Sequence, residues 1–449
     1  MHEKQEGQSY VRVMLIHPGV PEYGGRENFR AHYPPLGLAC VAAPLVHAGH
    51  EVIVLDCAAE RLSDEDVVRR VTDYRADVVG LRCQFINYPL GLAIAAAIKA
   101  ELPGVAVVFG GPHMGLVAEQ GLRDHPYIDA MVHGEGEHAL LEYVRALDAG
   151  SAPVGIAGLV WRDRDGRVVH NGRREVRNGP MEFSPPAFEV LPMHLYRLAN
   201  FFSLEGHRGC PMKCTFCALP QVQTRRVRYK RPAALVDEME TLVQDYGINR
   251  FDLIEVNFTI KKSWAHEVCD LIIERQLPVQ WICRSYPELV DPPVLEKLKA
   301  AGCYRINYGI ESGSAEILRN YRKVTTVQQG LDAIRWSKDA GLTVYVDYLI
   351  GGPGETDATV EDTITFHQAA RPHFADVSMV VPFPMTPLYD SPEEFGVRVV
   401  DDRWFEDLEQ TSKFPFVRAM ELQHLQKGEL ERLWLHAVKQ IMFAKEAVS

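Results

Sequence analysis

Twice along this chain a short apolar run is followed by a helix-patterned stretch, several times over, and between the two series the pattern stops. That alternation limits the fold more than any other feature. In the first series Val11–Ile16, Glu51–Leu55, Val78–Arg82, Val105–Phe109 and Ile128–Val132 read as strands. Leu36–Ala48, Asp64–Tyr74, Pro89–Glu101 and a stretch through Leu147 read as the intervening helices. Short buried strands separated by helices build a parallel sheet covered on both faces. A ligand crevice in such a sheet lies beyond the carboxyl ends of the strands, here the loops His17–Gly25 and Gly110–Gly115. Residues 1–150 are therefore expected to form a Rossmann-like α/β domain.

Residues 151–195 interrupt the series. Gly158–Trp161 and Arg167–His170 flank Asp165 and Gly166, a hairpin signal. Pro185, Pro186 and Pro192 then mark an extended linker. The second series has strands at Phe201–Gly206, Phe251–Val256, Val279–Cys283, Tyr304–Tyr308, Thr343–Ile350 and Asp376–Val381. Six βα units over residues 196–395 suit a partial (β/α)6 barrel whose working face is at the strand C-termini. Residues 396–449 read as a short helical C-terminus. Within it, Leu430, Leu433, Trp434, Val438, Ile441 and Met442 give Glu429–Ala447 the spacing of an amphipathic helix, expected to pack on the barrel.

Composition narrows the function. The 449 residues carry 48 Lys and Arg against 60 Asp and Glu, a net charge of −12. A nucleic-acid binder would show a basic excess instead. Apolar runs such as Leu36–Val46 fall short of the roughly 20 residues of a membrane span. The first ten residues lack the apolar core of a signal peptide. A cytoplasmic, reducing setting is expected, without membrane or nucleic-acid partners. The nine cysteines are then thiols or metal ligands, not a disulfide framework.

Cys210, Cys214 and Cys217 follow a strand and the turn Arg208-Gly209 with the spacing CxxxCxxC. Three thiolates so placed can hold three irons of a cubane and leave the fourth open to a small molecule. A structural zinc is the competing occupant, but it is normally four-coordinate, and no fourth Cys or His follows closely. His207 lies on the incoming strand. The other six cysteines, Cys40, Cys57, Cys83, Cys269, Cys283 and Cys303, read as buried small hydrophobes.

With Phe216 before its last cysteine, this motif resembles the hallmark of the radical SAM superfamily. The N-terminal domain is similar to the cobalamin-binding-domain branch of that superfamily. The likeness is carried by the phrases at residues 33–38, 110–113, 134–137, 208–211, 309–314, 351–355 and 382–387. It implies a 4Fe–4S cluster on Cys210, Cys214 and Cys217. It further implies S-adenosyl-L-methionine on the open iron, one-electron cleavage of the sulfonium bond, and hydrogen abstraction from a substrate. The cofactor-binding candidates are Phe216, Glu311, Ser312, Gly351, Gly352 and Pro382. A carboxylate at Glu311 can accept from an ammonium or a ribose hydroxyl, or simply be solvated. The glycines admit close backbone approach, or only make a turn. Pro382–Pro387 offers an apolar edge to an adenine, or a structural loop.

The chain departs from the branch in places. Where a double-Asp phrase is common, Glu255 is followed by Val256. Tyr286-Pro287-Glu288 replaces an Arg-x-Asp phrase, with Arg284 just before it. Asp347 lies between Tyr345 and Leu349 on one strand face and needs a partner, either an internal cation or a substrate ammonium or hydroxyl. Glu205 poses the same choice. Glu205, Glu255, Tyr286 and Asp347 are the catalytic candidates. The Asp-x-His-x-x-Gly motif of many cobalamin proteins is absent. Cobalamin is thus allowed but not favoured; His17 and His113 read as loop histidines, or as side chains able to approach a corrin.

In overall layout the chain resembles the radical SAM diol dehydratase of apramycin-type aminoglycoside biosynthesis. The expected reaction is radical dehydration of a small polar, cationic amino sugar such as paromamine. Carboxylates and tyrosines suit its proton handling. The alternatives are cobalamin-dependent methylation of a small metabolite and a non-catalytic iron–sulfur electron carrier. The expected electron source is a flavodoxin-type or other low-potential reductant. The basic run Arg225–Arg231 is its candidate dock, unless that run is merely solvated.

Overall fold

The computed structural model describes residues 10–19, 34–176, 179–181, 183–196, 201–412 and 418–443. The chain divides into two compact units. The first is Met1–Arg177, Glu182–Asn200 and Phe405–Ser412; the second is Asn178–Met181, Phe201–Trp404 and Lys413–Ser449.

The first unit is built on β1 (Arg12–His17), β2 (Glu51–Asp56), β3 (Val78–Arg82), β4 (Ala106–Gly110), β5 (Ala130–Val132), β6 (Leu159–Arg162) and β7 (Val168–His170), ordered β2-β1-β3-β4-β5-β6-β7. The first five strands are parallel. The last two run antiparallel through the expected hairpin, where Gly166 takes φ +79°. Strand order reverses at β1, so the crevice beyond β1 and β3 is the topological switch point. The helix Asp64–Tyr74 shows why these segments are helical. Ser63 and Asp66 form a capping box at its start, and only Val67 and Val71 are buried from it, one turn apart. Of the loop expected at His17–Gly25, residues 20–25 lie outside the described residues, as does Tyr33. Phe405, expected in the C-terminal helical segment, belongs to this unit, its ring 4.6 Å from that of Phe85.

The second unit contains, in chain order, β8 (Gly179–Pro180), β9 (Phe202–Leu204), β10 (His207–Arg208), β11 (Arg228–Tyr229), β12 (Arg250–Leu253), β13 (Gln280–Ser285), β14 (Cys303–Glu311), β15 (Thr343–Ile350) and β16 (Phe374–Met379). Six of these, β9 and β12 to β16, pair in parallel and in chain order. No ladder joins β9 to β16 among the described residues, so the sheet is a partial barrel. Parity assigns the faces. On β15, Val344, Val346, Tyr348 and Ile350 are fully buried, while Tyr345, Asp347 and Leu349 are half-exposed toward the lumen. The strand expected at Phe201–Gly206 is cut short. Gly206 sits where a Cβ would come within 2.4 Å of the Trp264 ring, and the chain then joins a separate ribbon, β10-β11-β8. The C-terminal helix runs Glu429–Met442, burying Leu430, Leu433, Ala437 and Ile441. Trp434 donates its indole N–H to the Val377 carbonyl of β16 at 3.1 Å, so this helix packs on the barrel as expected. Its expected end at Ala447 lies outside the described residues. Among those described, no helix is long and apolar enough to cross a membrane.

Candidate active site

The three motif cysteines lie on the loop after β10, and backbone bonds fix that loop from several sides. The Cys210 amide donates to the Thr224 carbonyl at 3.2 Å, and the Gly209 amide to the Gln223 side chain. The Thr215 amide donates to the Tyr321 carbonyl, and the Leu388 amide to the Thr215 carbonyl. Phe216 meets Tyr321 edge-on at 5.0 Å, within an apolar cluster that includes Ile317, Met379 and Leu388. Cys210 and Cys214 are buried. Burial pushes the Cys214 thiol up to about 11 and Cys217 to about 12. At neutral pH such thiols ionise when a metal takes them.

Beside this loop is a buried cation that the sequence did not single out. Lys323 has only 2% of its side chain exposed. Its ammonium donates to the Gly309 carbonyl at 2.7 Å and to Glu311 Oε1 at 3.3 Å. It also lies 4.8 Å from the centre of the Tyr286 ring, and the Tyr286 hydroxyl is 3.5 Å from Cys210 Sγ. Burial first, then the neighbouring thiols, raise the Tyr286 phenol, so it stays protonated. Glu311 takes φ +66° at a register shift between β14 and β15. Its carboxylate lies across Gly309, where a Cβ would come within 2.4 Å of Oε1.

The lumen face of the barrel is polar. Arg284 makes two bonds to Asp252, at 2.6 and 3.1 Å, and Tyr345 donates to Asp376 at 2.5 Å. Asp347 is in register with Gly309 on one side and Asp376 on the other. The two glutamates expected to act with it are placed differently. Glu205 accepts from Arg208 Nε at 2.7 Å. Glu255 turns toward the helical layer, where its Oε2 accepts from the Gly206 amide at 3.3 Å and its Oε1 has no hydrogen-bond partner among the described residues. Burial raises its carboxyl to about 8, so it is neutral at pH 7.

The remaining cofactor candidates answer to this chain's own side chains. Ser312 places its hydroxyl 3.0 Å from that of Thr363. A Cβ on Gly351 would come within 2.7 Å of Leu430, and one on Gly352 within 2.2 Å of the Tyr321 ring. Both glycines belong to a turn closed by Glu355, which accepts from the Gly351 amide at 3.0 Å and from Thr359 at 2.6 Å. Pro382 is buried in the loop that Leu388 ties to the cysteine segment.

At the carboxyl edge of the first sheet, His17 ends β1 and is buried beside Arg82, which ends β3. Burial, then the Arg82 charge, lowers the imidazole to about 3. The Arg82 backbone accepts from the ring, and Nδ1 has no hydrogen-bond partner among the described residues. His113 stacks on Phe85 at 4.7 Å, and burial lowers it to about 4.

A family model for the radical SAM superfamily matches residues 204–367, and one for the B12 binding domain matches residues 25–144. An uncharacterized methyltransferase of Pyrococcus horikoshii is 32% identical over 359 residues, covering 80% of this chain and 78% of that protein. The chain belongs to the radical SAM superfamily, in the branch with a B12 binding domain. This radical SAM protein is also 29% identical over 407 residues to the anaerobic magnesium-protoporphyrin IX monomethyl ester cyclase of Rubrivivax gelatinosus, covering 87% of this chain and 71% of that one. In fold it is similar to the radical S-adenosylmethionine methyltransferase TsrM of Kitasatospora setae, solved with cobalamin and a 4Fe–4S cluster. The TM-score is 0.77 over 97% of this chain and 89% of that one, at 20% identity. The fold expected from sequence, a Rossmann-like domain followed by a partial barrel, is thereby borne out.

A radical SAM enzyme works with a 4Fe–4S cluster and S-adenosylmethionine, and the donor set fits the cluster. Cys210, Cys214 and Cys217, all on one loop, supply the three thiols. A cubane spreads its thiolates over separate irons, whereas zinc gathers its ligands around one point.

Proposed function

We propose that this radical SAM enzyme is a cobalamin-dependent methyltransferase acting on a small metabolite. The observation that carries the reading is the 32% identity, over 80% of this chain, to a protein described as an uncharacterized methyltransferase. The B12 binding domain match and the likeness in fold to a cobalamin-bound methyltransferase add support. Amino-sugar dehydration, the reaction expected from the acidic strand residues, draws no support from these relatives. The proton-handling set it required is also divided, with Asp347 on the lumen side and Glu255 on the helical side.

In this reading Cys210, Cys214 and Cys217 hold the cluster. Glu311, fixed by Lys323, accepts a hydrogen bond from S-adenosylmethionine, and Phe216 and Pro382 wall that space. Asp347 and Tyr345 orient a polar substrate in the lumen. Tyr286 and Lys323 exclude water from the inner side of the cysteine loop. At the switch point of the first sheet, His17 and Arg82 would hold the corrin; the buried Nδ1 of His17, without a hydrogen-bond partner among the described residues, is the observation that fits a ligand there. When bound, the cofactors supply a carbon radical and a transferable methyl group. Nine cysteines without a disulfide suit a reducing cytoplasm.

The test is anaerobic purification with cobalamin supplied, followed by an absorption spectrum and incubation with methyl-labelled S-adenosylmethionine. Corrin bands, label on the corrin and release of S-adenosylhomocysteine are expected. A brown protein without corrin that releases 5′-deoxyadenosine would overturn methyl transfer and return dehydration to favour.

A further inference from the structure

The chain has a net charge of −12, yet Arg225, Arg226, Arg228, Lys230 and Arg231 place five cations in seven residues with no acid among them. The fold gives this run a particular address. Its central residues form β11, which pairs Arg228 with Arg208 and Tyr229 with His207 on the strand that enters the cysteine loop. Thr224, just before the run, accepts from the amide of Cys210. Gly209, at φ +97°, packs so tightly that a Cβ would come within 2.2 Å of the Arg226 carbonyl oxygen. The basic ribbon is therefore seated rigidly against the backbone of the first cluster cysteine.

Arg228 is buried, and Lys230 donates to both oxygens of Glu238 at 2.7 Å. Arg225, Arg226 and Arg231 are exposed, as are Lys213 on the cysteine loop and Lys261, whose ammonium lies 5.4 Å from the centre of the Tyr229 ring. Beside the ribbon opens a cleft of about 490 Å³, lined by Tyr229, Lys230, Arg231, Lys261, Trp264 and the single acid Glu267. A cationic, aromatic-floored surface on an acidic protein attracts a strongly acidic partner and sets its orientation.

We propose that this ribbon, with Lys213 and Lys261, docks an acidic one-electron carrier protein of flavin or iron–sulfur type. The carrier loses one electron and the cluster on the adjoining cysteine loop gains it. This rests on the radical SAM assignment of that loop and extends it to the source of the electron.

The experiment follows cluster reduction in the reconstituted holoenzyme by stopped-flow, with flavodoxin hydroquinone or dithionite as donor. It compares wild type with the charge reversal Arg225→Glu/Arg231→Glu/Lys261→Glu. Flavodoxin-driven reduction should fall roughly tenfold or more at low ionic strength and lose its salt dependence. Dithionite-driven reduction should be unchanged, which also reports an intact loop. Equal flavodoxin rates in the two proteins would overturn the proposal. So would an unchanged flavodoxin rate with loss of binding to a labelled RNA oligonucleotide, which would assign the patch to a polyanion. A milder variant, Arg231→Gln, keeps the test open if the triple variant fails to fold; its flavodoxin rate should fall severalfold. If wild type forms no reducible cluster with dithionite, the loop assignment fails rather than the docking surface.

Discussion

At the carboxyl edge of the first sheet the prominent buried titratable groups are histidines, and burial holds His17 and His113 neutral, at about 3 and 4. Around the barrel mouth the polar groups are mostly charges held in pairs: Glu311 with Lys323, Glu205 with Arg208, and Asp252 with Arg284. The barrel has a buried neutral histidine too, His207, whose Nε2 lies 2.9 Å from the Asn257 carbonyl. A neutral ring keeps a nitrogen lone pair available to a ligand without the cost of burying an ion. Paired charges instead lock side chains in position, and each partner becomes a liability if the other is removed. The first edge suits a bulky cofactor; the second suits a small zwitterion such as S-adenosylmethionine.

The contrast can be tested by substitution. The largest effect is expected at the cysteines: Cys210→Ala, Cys214→Ala or Cys217→Ala should abolish the cluster's visible absorption and with it cleavage of S-adenosylmethionine. Retained iron and activity would remove the loop from the site. Next is Lys323→Met, which leaves Glu311 without its cation. A loss of about 3–5 kcal/mol in urea unfolding of the barrel is expected, together with a higher KM for S-adenosylmethionine; an unchanged KM would deny Glu311 its role. Gly352→Ala drives a methyl into the Tyr321 ring and should cost about 1–3 kcal/mol, read as a fall in Tm.

The two regions should also respond to pH with opposite signs. The Glu255 carboxyl is raised from its ordinary range to about 8. Its stabilising contribution is therefore complete below about pH 4.5 and fades as pH rises to 8. His17 is lowered from 6.5 to about 3. Its contribution is complete above pH 6.5 and fades as pH falls toward 3. Urea midpoints measured across pH should change less steeply between about pH 4.5 and 8 in Glu255→Gln and between about pH 3 and 6.5 in His17→Gln. Each wild-type slope is at most about 1.4 kcal/mol per pH unit. The smallest effect belongs to Arg432→Ala, which removes a solvent-exposed pair with Asp357. Its urea midpoint should be indistinguishable from wild type, because water screens an exposed pair, against the clear loss at the buried Lys323.

Much of this could be read from residue order. Alternation of apolar runs and helices gave the parallel strands of both sheets, and side-chain parity put Asp347 on the lumen face of β15. The cysteine spacing gave the loop. What could not be read came from contacts distant in sequence. Lys323 follows a short helix with no periodic signal, and its role arises only where the β14 bulge turns Glu311 back across Gly309. Glu255 looked equivalent to Asp347 until β12 placed it toward Trp264. The ribbon strands β8, β10 and β11 have two residues each, too few for any pattern to show. For Gly351 and Gly352 the residue order left a close ligand approach and a plain turn both open, because a glycine does not reveal its neighbours; only the folded chain shows Leu430 and Tyr321 packed against them.

The return of Phe405–Ser412 to the first unit has a consequence during synthesis. Phe405 lies against Phe85 and Tyr88, and Glu406 lies 4.0 Å from His125. A ribosome adding roughly 5–20 residues per second makes those residues some 10–50 s after the hairpin that closes the first sheet. Until then Phe85 and Tyr88 of the nascent N-terminal domain lack the Phe405 ring that packs on them in the finished fold.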